Sequence, residues 1–435
     1  MKICVQGLWH LGSVTAACLA SVGHDVTGLE SDSEALHKLE GGRAPLFEPG
    51  LDDLIQIGMA NGKLRFSSSP EDALTSAKVL WVTFDTPVDE EDEADVNFVH
   101  ARVLSSLPFL PNGAVVLVSS QMPVGSIRKL EAFAQRSLPD KNLSFACAPE
   151  NLRLGKAIDV FINPDRIVVG VRNCATRQVL EKLLSPITDK VEWMSVESAE
   201  MTKHAINAFL ATSVTFANEI AAICELVGAD AKEVELGLKT DARIGPKAYL
   251  SPGGPFAGGT LARDIAFLAI ESQRHQLATP LLSAVRPSND EHKNWVRRKL
   301  QQQFGKLSEI TVAIWGLTYK PGTDTLRRSL AVELCDWLLK QGAKVRVHDP
   351  AVKQLPEHWA GKLTHCTTAL DAVTDANALV VGTEWPEFKQ SALGLSVNTQ
   401  PGLVIVDANR HLQAQVLQHG FNYVAVGTPS EVRGK

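Results

Sequence analysis

The chain has 435 residues, enough for two to three domains of roughly 100 to 200 residues each. Its 43 Lys and Arg against 49 Asp and Glu give a formal net charge of −6. This mild acidity, without a Lys/Arg-rich run, argues against nucleic acid or an anionic membrane surface as the main partner. The seven cysteines are scattered and form no C-x-x-C pair, which favours neither disulfides nor a metal site and predicts a cytoplasmic protein.

Short apolar runs alternate with amphipathic stretches through the first half of the chain. Strands are predicted at 2–7, 24–30, 78–84, 114–120, 143–149 and 166–170. Strands separated by helical patterns predict βαβ units and a parallel sheet. The first 22 residues also resemble a signal peptide, but their polar residues and glycines favour a strand, a turn and a helix.

A continuous helical pattern follows from Glu197 to about Val227, with apolar residues recurring at spacings of three and four. Strand and helix alternation then returns, with strands predicted at 310–316, 344–349, 378–383, 403–408 and 422–427. The chain is therefore predicted to contain an α/β domain, a helical middle and a second α/β domain. No window reaches the roughly 18 uninterrupted apolar residues of a membrane span, so no membrane partner is expected. Residues 85–95 are predicted to form a solvated acidic loop.

The segment KICVQGLWHLG (2–12) is a strand that enters a helix through Gly7 and Gly12, the context of a dinucleotide-binding turn. Gly7 would make the tight turn, Gly12 the close helix contact, and the helix N-terminus would face a pyrophosphate. Glu30 ends the second strand, where a carboxylate accepts hydrogen bonds from the ribose hydroxyls. With no arginine following closely, Glu30 favours NAD over NADP. Trp9 replaces the usual middle glycine, so a turn without nucleotide is the alternative.

Eight further segments resemble one family, the nucleotide-sugar 6-dehydrogenases. They occur in the family's order and cover nearly the whole chain: 41–55, 85–96, 122–126, 149–170, 199–221, 243–264, 316–329 and 383–388. The resemblance implies an α/β fold with two Rossmann-like domains, built on parallel sheets and joined by a long central helix and a helical middle domain. The implied division is 1–196 for NAD, 197–302 for dimerisation and 303–435 for the nucleotide sugar. It also implies a homodimer formed through the central helix, with a UDP-sugar as substrate.

The resemblance also implies catalytic roles for Glu150, Lys203, Asn207 and Asp264. Lys203 and Asn207 share a helix face and would bind an oxyanion or water at the sugar C6. Glu150 would position water or relay protons, and Asp264 would act as a base. The implied cofactor-binding residues are Gly7, Trp9, Gly12, Glu30, Thr86, Gln121, Arg263 and Arg327. The implied substrate-binding residues are Leu152, Lys203, Asn207, Arg243, Tyr249, Leu250, Gly258 and Lys320. The resemblance implies that Arg243 reaches the substrate bound to the partner subunit. It implies no metal site.

One departure affects the chemistry directly. The family's glycine-rich loop ends with a cysteine two residues after its paired glycines, whereas here Gly258 and Gly259 precede Thr260 and Leu261. A thiolate holds the aldehyde as a thiohemiacetal and then as a thioester, and a threonine hydroxyl is far less acidic. Cys147 is the other candidate thiol, but a strand cysteine is more typical of buried apolar packing.

Four smaller departures accompany it: Gln121 replaces a threonine, Asp85 a glycine, Asn151 an aromatic residue and Arg263 a lysine. We therefore interpret the sequence as an NAD-dependent nucleotide-sugar dehydrogenase with a modified second half-reaction. Two alternatives remain open, a catalytically silent nucleotide-sugar-binding protein and an enzyme that oxidises its substrate only transiently. Lys203, Asn207 and Asp264 favour an enzyme, whereas Trp9 and the missing cysteine favour the alternatives.

Overall fold

The computed structural model describes residues 1–87, 94–150, 152–399 and 401–429. Asn151 and residues 88–93 of the predicted acidic loop lie outside them. The chain divides into two compact units, an N-terminal unit (Met1–Ile206) and a C-terminal unit (Asn207–Lys435). The predicted α/β fold with Rossmann-like sheets is confirmed in both units.

The N-terminal unit has strands β1 (Lys2–Gln6), β2 (Asp25–Leu29), β3 (Leu64–Ser67), β4 (Val79–Val82), β5 (Val115–Val118), β6 (Ser144–Cys147), β7 (Ile167–Val171) and β8 (Val191–Met194). Its helices are α1 (His10–Ser21), α2 (Ser33–Glu40), α3 (Leu51–Ala60), α4 (Pro70–Leu74), α5 (Val96–Ser106), α6 (Ser126–Ser137), α7 (Ala157–Ile162) and α8 (Cys174–Leu184). Within the described ranges the strands form one sheet in the order β3-β2-β1-β4-β5-β6-β7-β8. β4 and β5 are buried along their whole length, as strands covered by helices on both faces must be.

The prediction of a parallel sheet is correct for every strand pair in this sheet except one. β6 and β7 pair antiparallel, through Ala146 with Val171 and Cys147 with Gly170. The segment between them forms the six-residue helix α7, which packs against α1 instead of making a full crossover helix. The chain therefore enters β7 from the opposite end of the sheet, and β8 then pairs parallel with β7.

The C-terminal unit contains a second sheet, which is parallel throughout the described residues and has the order β11-β10-β9-β12-β13-β14. Its strands are β9 (Thr311–Trp315), β10 (Lys344–His348), β11 (Thr364–His365), β12 (Ala378–Val381), β13 (Val404–Val406) and β14 (Asn422–Val424). The helices begin with α9 (Val196–Val227), which contains the boundary between the units, and continue with α10 (Ala231–Thr240), α11 (Thr260–Arg274), α12 (Pro280–His292), α13 (Trp295–Phe304), α14 (Leu330–Lys340), α15 (Ala369–Val373), α16 (Glu387–Ala392), α17 (Leu395–Asn398) and α18 (Gln413–Val416). In each sheet the strand order reverses beside the first strand. The resulting switch points lie between β1 and β4 and between β9 and β12, where α/β folds bind ligands.

Helix α9 matches the predicted span from Glu197 to Val227 within one residue. By length and composition alone it is the one helix among the described residues that would suffice to cross a bilayer, a test that core helices also pass. Its buried polar side chains have partners inside each unit. Glu200 accepts a hydrogen bond from Gly125 N. Glu225 accepts a hydrogen bond from the Trp295 indole and forms an ion pair with Lys299. Such contacts are typical of a helix packed within a protein core.

Candidate active site

The turn after β1 is as tight as the dinucleotide motif requires. Gly7 has φ +90°, and a Cβ on it would lie 2.5 Å from the Phe84 ring. A Cβ on Gly12 would lie 1.9 Å from the carbonyl oxygen of Gly7, so only glycine fits there. Trp9 has φ −71°, which any residue can adopt, and its side chain is 49% exposed. The two positions that sterically require glycine therefore keep it, while Trp9 places an indole on the surface beside them.

The first turn of α1 has backbone donors available. Within the described residues, the N–H groups of Trp9, His10 and Leu11 donate no hydrogen bond. A helix N-terminus with such donors also carries partial positive charge, so it suits a pyrophosphate. The tight glycine turn and these donors together fit a bound dinucleotide.

Glu30 is held rigidly at the end of β2. Its Oε2 accepts a hydrogen bond from Leu8 N at 2.7 Å, and its Oε1 accepts from Ser31 N at 2.7 Å and Asp32 N at 2.9 Å. A carboxylate accepts about four hydrogen bonds, so capacity remains for a ribose hydroxyl. Arg102 of α5 donates to Ser31 Oγ at 2.8 Å. The structure thus supplies a nearby arginine that sequence inspection missed, because 71 residues separate the two positions.

Thr86 and Gln121 follow the carboxyl ends of β4 and β5 and come together. The Thr86 hydroxyl donates to the Gln121 carbonyl oxygen at 2.6 Å. Gln121 also lines a small cavity of about 20 Å³, together with Cys147, Glu150 and Lys203. This space holds about one water molecule. The N-terminal unit therefore brings two predicted cofactor residues and two predicted catalytic residues to the same end of its sheet.

Lys203 fixes the backbone that carries Glu150. Its ammonium donates to the Glu150 carbonyl oxygen at 2.7 Å and lies 3.6 Å from the Glu150 Oε1. The other carboxylate oxygen accepts a hydrogen bond from Leu152 N at 2.7 Å. Lys203 is mostly buried, and Glu150 is about one quarter exposed. The carboxylate is thus oriented by a cation and an amide while part of it stays accessible.

Glu200 belongs to the same cavity, although sequence reasoning did not select it. It accepts hydrogen bonds from Gly125 N at 2.7 Å and Ile127 N at 3.0 Å, at the start of α6. Burial raises the pKa of this carboxyl, and the two amides oppose the rise. The available signal was its position three residues before Lys203, which places both on one face of α9.

Cys147 is poorly suited to act as a nucleophile. It is buried at the end of β6 among apolar side chains. Burial raises the pKa of its thiol well above the ordinary value, and the charge of Glu200 adds to the rise. The thiolate is the reactive form, so this environment favours an inert thiol. The apolar packing expected of Cys147 fits this environment.

In the C-terminal unit, Asn207 and Asp264 are directly paired. The Asn207 amide donates to Asp264 Oδ2, and both side chains are buried. Asp264 lies in the second turn of α11, which starts at Thr260 directly after Gly259 with φ +100°. Thr260 is exposed and Asp264 is fully buried. The loop therefore delivers a carboxylate to the amide of α9, and it offers a hydroxyl and no thiol at its helix start.

A pocket of about 400 Å³ lies at the switch point between β9 and β12. Its polar lining comes from loops that follow the strands and from α12 and α13, and it includes Lys293, Arg297, Lys320, Arg328, Thr383, Glu384 and Asn409. The basic side chains suit an anionic ligand such as a diphosphate. Lys320 was predicted here from the sequence. The sequence did not predict Lys293, Arg297 or Asn409 as lining residues. It did mark the segment 383–388, which follows β12, as similar to the family.

Three further predicted residues, Gly258, Arg263 and Arg327, are not among the residues that line this pocket. The carbonyl oxygen of Gly258 accepts a hydrogen bond from the hydroxyl of Tyr319, a pocket residue, at 3.4 Å. Arg327 is exposed, whereas its neighbour Arg328 lines the pocket from a left-handed backbone conformation with φ +62°. Arg263 lies in the first turn of α11 and is half-buried.

The loop with Tyr249 and Leu250 is anchored from one side. Tyr249 is largely exposed, while the next residue but one, Ser251, donates to Glu235 Oε1 at 2.5 Å. Arg243 is highly exposed and pairs with Asp241 at 2.7 Å. These residues therefore lie at the surface of the C-terminal unit, as a loop that reaches toward a ligand or a partner would.

Asp349 occupies in the second sheet the place that Glu30 has in the first, directly after the second strand. Its Oδ2 accepts hydrogen bonds from Leu317 N, from the amide and hydroxyl of Thr318, and from the Trp385 indole, at 2.7 to 3.2 Å. Asp349 is buried. The hydrogen-bonding capacity of this carboxylate is therefore used by donors inside the unit.

Three family models match the chain in order. They describe the UDP-glucose/GDP-mannose dehydrogenase family, with its NAD binding domain at residues 1–188, its central domain at 197–291 and its UDP binding domain at 313–414. The UDP-glucose 6-dehydrogenase of Pseudomonas aeruginosa is 33% identical over 99% of this chain and 98% of its own length. The UDP-glucose 6-dehydrogenase of Rhizobium meliloti is 32% identical over 99% of this chain and 100% of its own length.

A solved structure agrees with these matches. The UDP-glucose dehydrogenase from the hyperthermophilic archaeon Pyrobaculum islandicum superimposes with a TM-score of 0.84 and 26% identity, covering 98% of each chain. The resemblance inferred from the sequence segments is thereby confirmed. This chain belongs to the UDP-glucose/GDP-mannose dehydrogenase family.

Proposed function

We propose that this chain oxidises C6 of a nucleotide sugar, most readily a UDP-sugar, with NAD as the hydride acceptor. The observation that carries the proposal is the retained polar set, with Lys203 held on Glu150 in one unit and Asn207 held on Asp264 in the other. The first-turn donors of α1 and the carboxylate of Glu30 support NAD, and the basic pocket at β9 and β12 supports the nucleotide sugar. The division into residues 1–196, 197–302 and 303–435 is retained within this proposal.

Each catalytic residue has a role that its chemistry supports. When bound, NAD supplies the hydride acceptor. Asp264 or Glu150 takes the proton from the C6 hydroxyl or from a water molecule, since a carboxylate fixed by hydrogen bonds is a suitable general base. Lys203 and Asn207 lie one turn apart on α9 and donate hydrogen bonds to the developing negative oxygen.

The missing cysteine changes the second half of the reaction. Without a thiol at Thr260 or Leu261, the chain has two chemical routes. In one, the reaction stops at the aldehyde after the first oxidation. In the other, water adds to the aldehyde and the hydrate is oxidised in turn, with Glu150 or Asp264 as the base. The two routes differ in the number of NADH molecules formed for each sugar.

A second candidate function rests on the same departure. A catalytically silent nucleotide-sugar-binding protein would keep the basic pocket and the glycine turn and would not need the thiol. Thr260, which is exposed, and Leu261 follow the paired glycines where the family has its cysteine, and this supports the binding protein. Retention of the buried Asn207 and Asp264 pair argues for the enzyme, because burying a carboxylate without need is costly.

One experiment separates these functions. The protein is incubated with NAD and a panel of UDP- and GDP-sugars, NADH formed per sugar consumed is counted, and the product is identified by mass. Two NADH per sugar support the hydrate route, and one supports an aldehyde product. A sugar that raises the melting temperature without forming NADH overturns the dehydrogenase and supports the binding protein. An epimerised product without net NADH supports transient oxidation.

We also propose a homodimer in the cytoplasm. Helix α9 exposes Phe209, Phe216 and Ile223, which are spaced by seven residues and so share one face. A face of large exposed apolar side chains is unfavourable in water and suits a second copy of the same helix. Scattered cysteines, all of them free thiols, support a reducing compartment.

A further inference from the structure

Arg102 lies beside the acidic residue that meets the ribose in the proposed dinucleotide site. Its guanidinium donates to Ser31 Oγ at 2.8 Å, and Ser31 N donates to Glu30 Oε1 at 2.7 Å. The guanidinium also lies 5.3 Å from the centre of the Phe98 ring. Within the described parts of the chain, no carboxylate forms an ion pair with Arg102. Ser31 therefore links the Glu30 carboxylate to the Arg102 guanidinium, whose positive charge is not paired with any carboxylate of the described residues.

This arrangement combines two chemistries that dinucleotide folds usually separate. An acid at the end of the second strand binds the ribose hydroxyls of NAD, whereas an arginine nearby accommodates the 2′-phosphate of NADP. Arginine suits a phosphate because its planar guanidinium donates two parallel hydrogen bonds. A serine hydroxyl supplies a further donor.

The charge of Glu30 is the obstacle to a 2′-phosphate, and it is partly offset. Three backbone N–H groups, from Leu8, Ser31 and Asp32, donate to this carboxylate. Hydrogen bonds of this kind stabilise the negative charge locally and weaken its field toward a neighbouring anion. The fixed carboxylate also cannot rotate toward the phosphate without losing them.

We propose that Arg102 and Ser31 form a subsite for the 2′-phosphate of NADP, so that the chain binds NADP as well as NAD. The inference rests on the proposed dinucleotide site at the start of α1 and adds to it a second specificity determinant. Glu30 keeps NAD the preferred cofactor. Arg102 weakens the preference for NAD over NADP, because it supplies a cation that offsets the repulsion between the 2′-phosphate and Glu30.

Calorimetry with two probes tests the subsite without turnover. ADP-ribose and 2′-phospho-ADP-ribose differ only in the 2′-phosphate. For each variant, the affinity for the phosphorylated probe is divided by that for the plain probe. Arg102→Ala is expected to lower this ratio at least tenfold, as loss of a charge-assisted phosphate contact does. Arg102→Lys is expected to restore part of it. Arg136→Ala, which removes an exposed arginine of α6, is the matched control and leaves the ratio unchanged.

Each outcome bears on one proposal or the other. An unchanged ratio in Arg102→Ala, or a wild-type protein that binds only ADP-ribose, overturns the 2′-phosphate subsite and leaves the NAD site standing. A wild-type protein that binds neither probe overturns the proposed dinucleotide site itself. If melting curves show that Arg102→Ala is unfolded, Ser31→Ala and Arg102→Gln provide the same ratio. Ser31 is exposed, so its substitution is tolerated by the fold.

Discussion

The side-chain amide of Asn207 donates a hydrogen bond to the fully buried carboxylate of Asp264. This contact fixes one carboxylate oxygen and holds α11 against α9. A buried carboxylate that accepts an amide hydrogen bond has a defined orientation and little water around it, as a catalytic base requires. Two predictions test whether this contact and the Lys203 contact serve catalysis.

Asp264→Asn is expected to slow turnover by about 100-fold or more, because an amide cannot accept the proton that a carboxylate accepts. The substitution keeps the size of the side chain, so the melting temperature should change little. Steady-state NADH formation with the best sugar of the panel measures the effect. Glu233→Gln, which removes an exposed carboxylate of α10, is the control. Full activity in Asp264→Asn contradicts the assigned role.

Lys203→Ala is also expected to slow turnover by about 100-fold or more, since it removes an oxyanion donor and the contact that holds Glu150. The loss should appear mainly in kcat, because a donor to developing charge acts in the transition state. Kinetics at several sugar concentrations separate kcat from KM. A rise in KM with an unaltered kcat assigns Lys203 to substrate binding alone.

Alkylation of the cysteines is expected to leave turnover largely intact. Cys174 is exposed at the start of α8, and the other six cysteines are buried. A reagent at neutral pH therefore reaches mainly Cys174, and the buried Cys147 stays protonated because its pKa is raised. Mass spectrometry locates the modification, and NADH formation measures activity. Trapping a sugar adduct on Cys147, or finding that Cys147→Ser alone abolishes activity, shows that a relocated thiol performs the family's chemistry.

Light scattering is expected to give a dimer of twice 47.1 kDa at micromolar concentration. Phe216→Asp places a charge on the exposed face of α9 and should shift the protein to monomers. Leu417→Asp changes another exposed apolar residue that lies far along the chain from α9, and it should leave the mass unaltered. A wild-type monomer removes the proposed dimer.

Acid is expected to destabilise the C-terminal unit through Glu235. Burial opposes ionisation, but hydrogen bonds from Lys232, Lys239 and Ser251 outweigh it and lower the pKa from 4.5 to about 2. The folded state binds the proton more weakly than the unfolded chain. The stabilisation is therefore complete above about pH 4.5 and is lost as the pH falls toward 2.

The measurement compares the free energy of unfolding of the wild type and Glu235→Gln at pH 6 and pH 3. The wild type should be the more stable at pH 6, and the gap should narrow at pH 3. A gap that stays constant between these values contradicts the assignment. Because Ser251 follows Tyr249 and Leu250, acid should also loosen that loop.

The sequence predicts the inner strands well, because β1, β4, β5 and β9 each contain an apolar run that is buried in the sheet. It does not predict β3, β8 or β11, which are short and carry polar residues. The direction of β7 is also invisible in its residues. That direction depends on how α7 packs against α1, and the two-residue period of a strand is the same either way.

The candidate site shows the same division. Spacing on one helix predicts that Lys203 and Asn207 share a face, and the glycine turn predicts the close approach of Gly12 to Gly7. The contact of Arg102 with Ser31 joins residues 71 apart, and no local pattern encodes it. The basic lining at Lys293 and Arg297 likewise depends on where α12 and α13 lie against the second sheet.

Asp349 distinguishes the second sheet from the first as a site for a ribose. The fold is duplicated, with a glycine turn after the first strand and an acid after the second in each unit. In the second unit, however, the acid is enclosed by Thr318 and the Trp385 indole and already accepts five hydrogen bonds, four on Oδ2 and one from Ala351 N on Oδ1. A ribose would have to displace these internal donors to reach it. The acidic residue of the second unit is therefore not available to a ribose in the way proposed for Glu30 in the first.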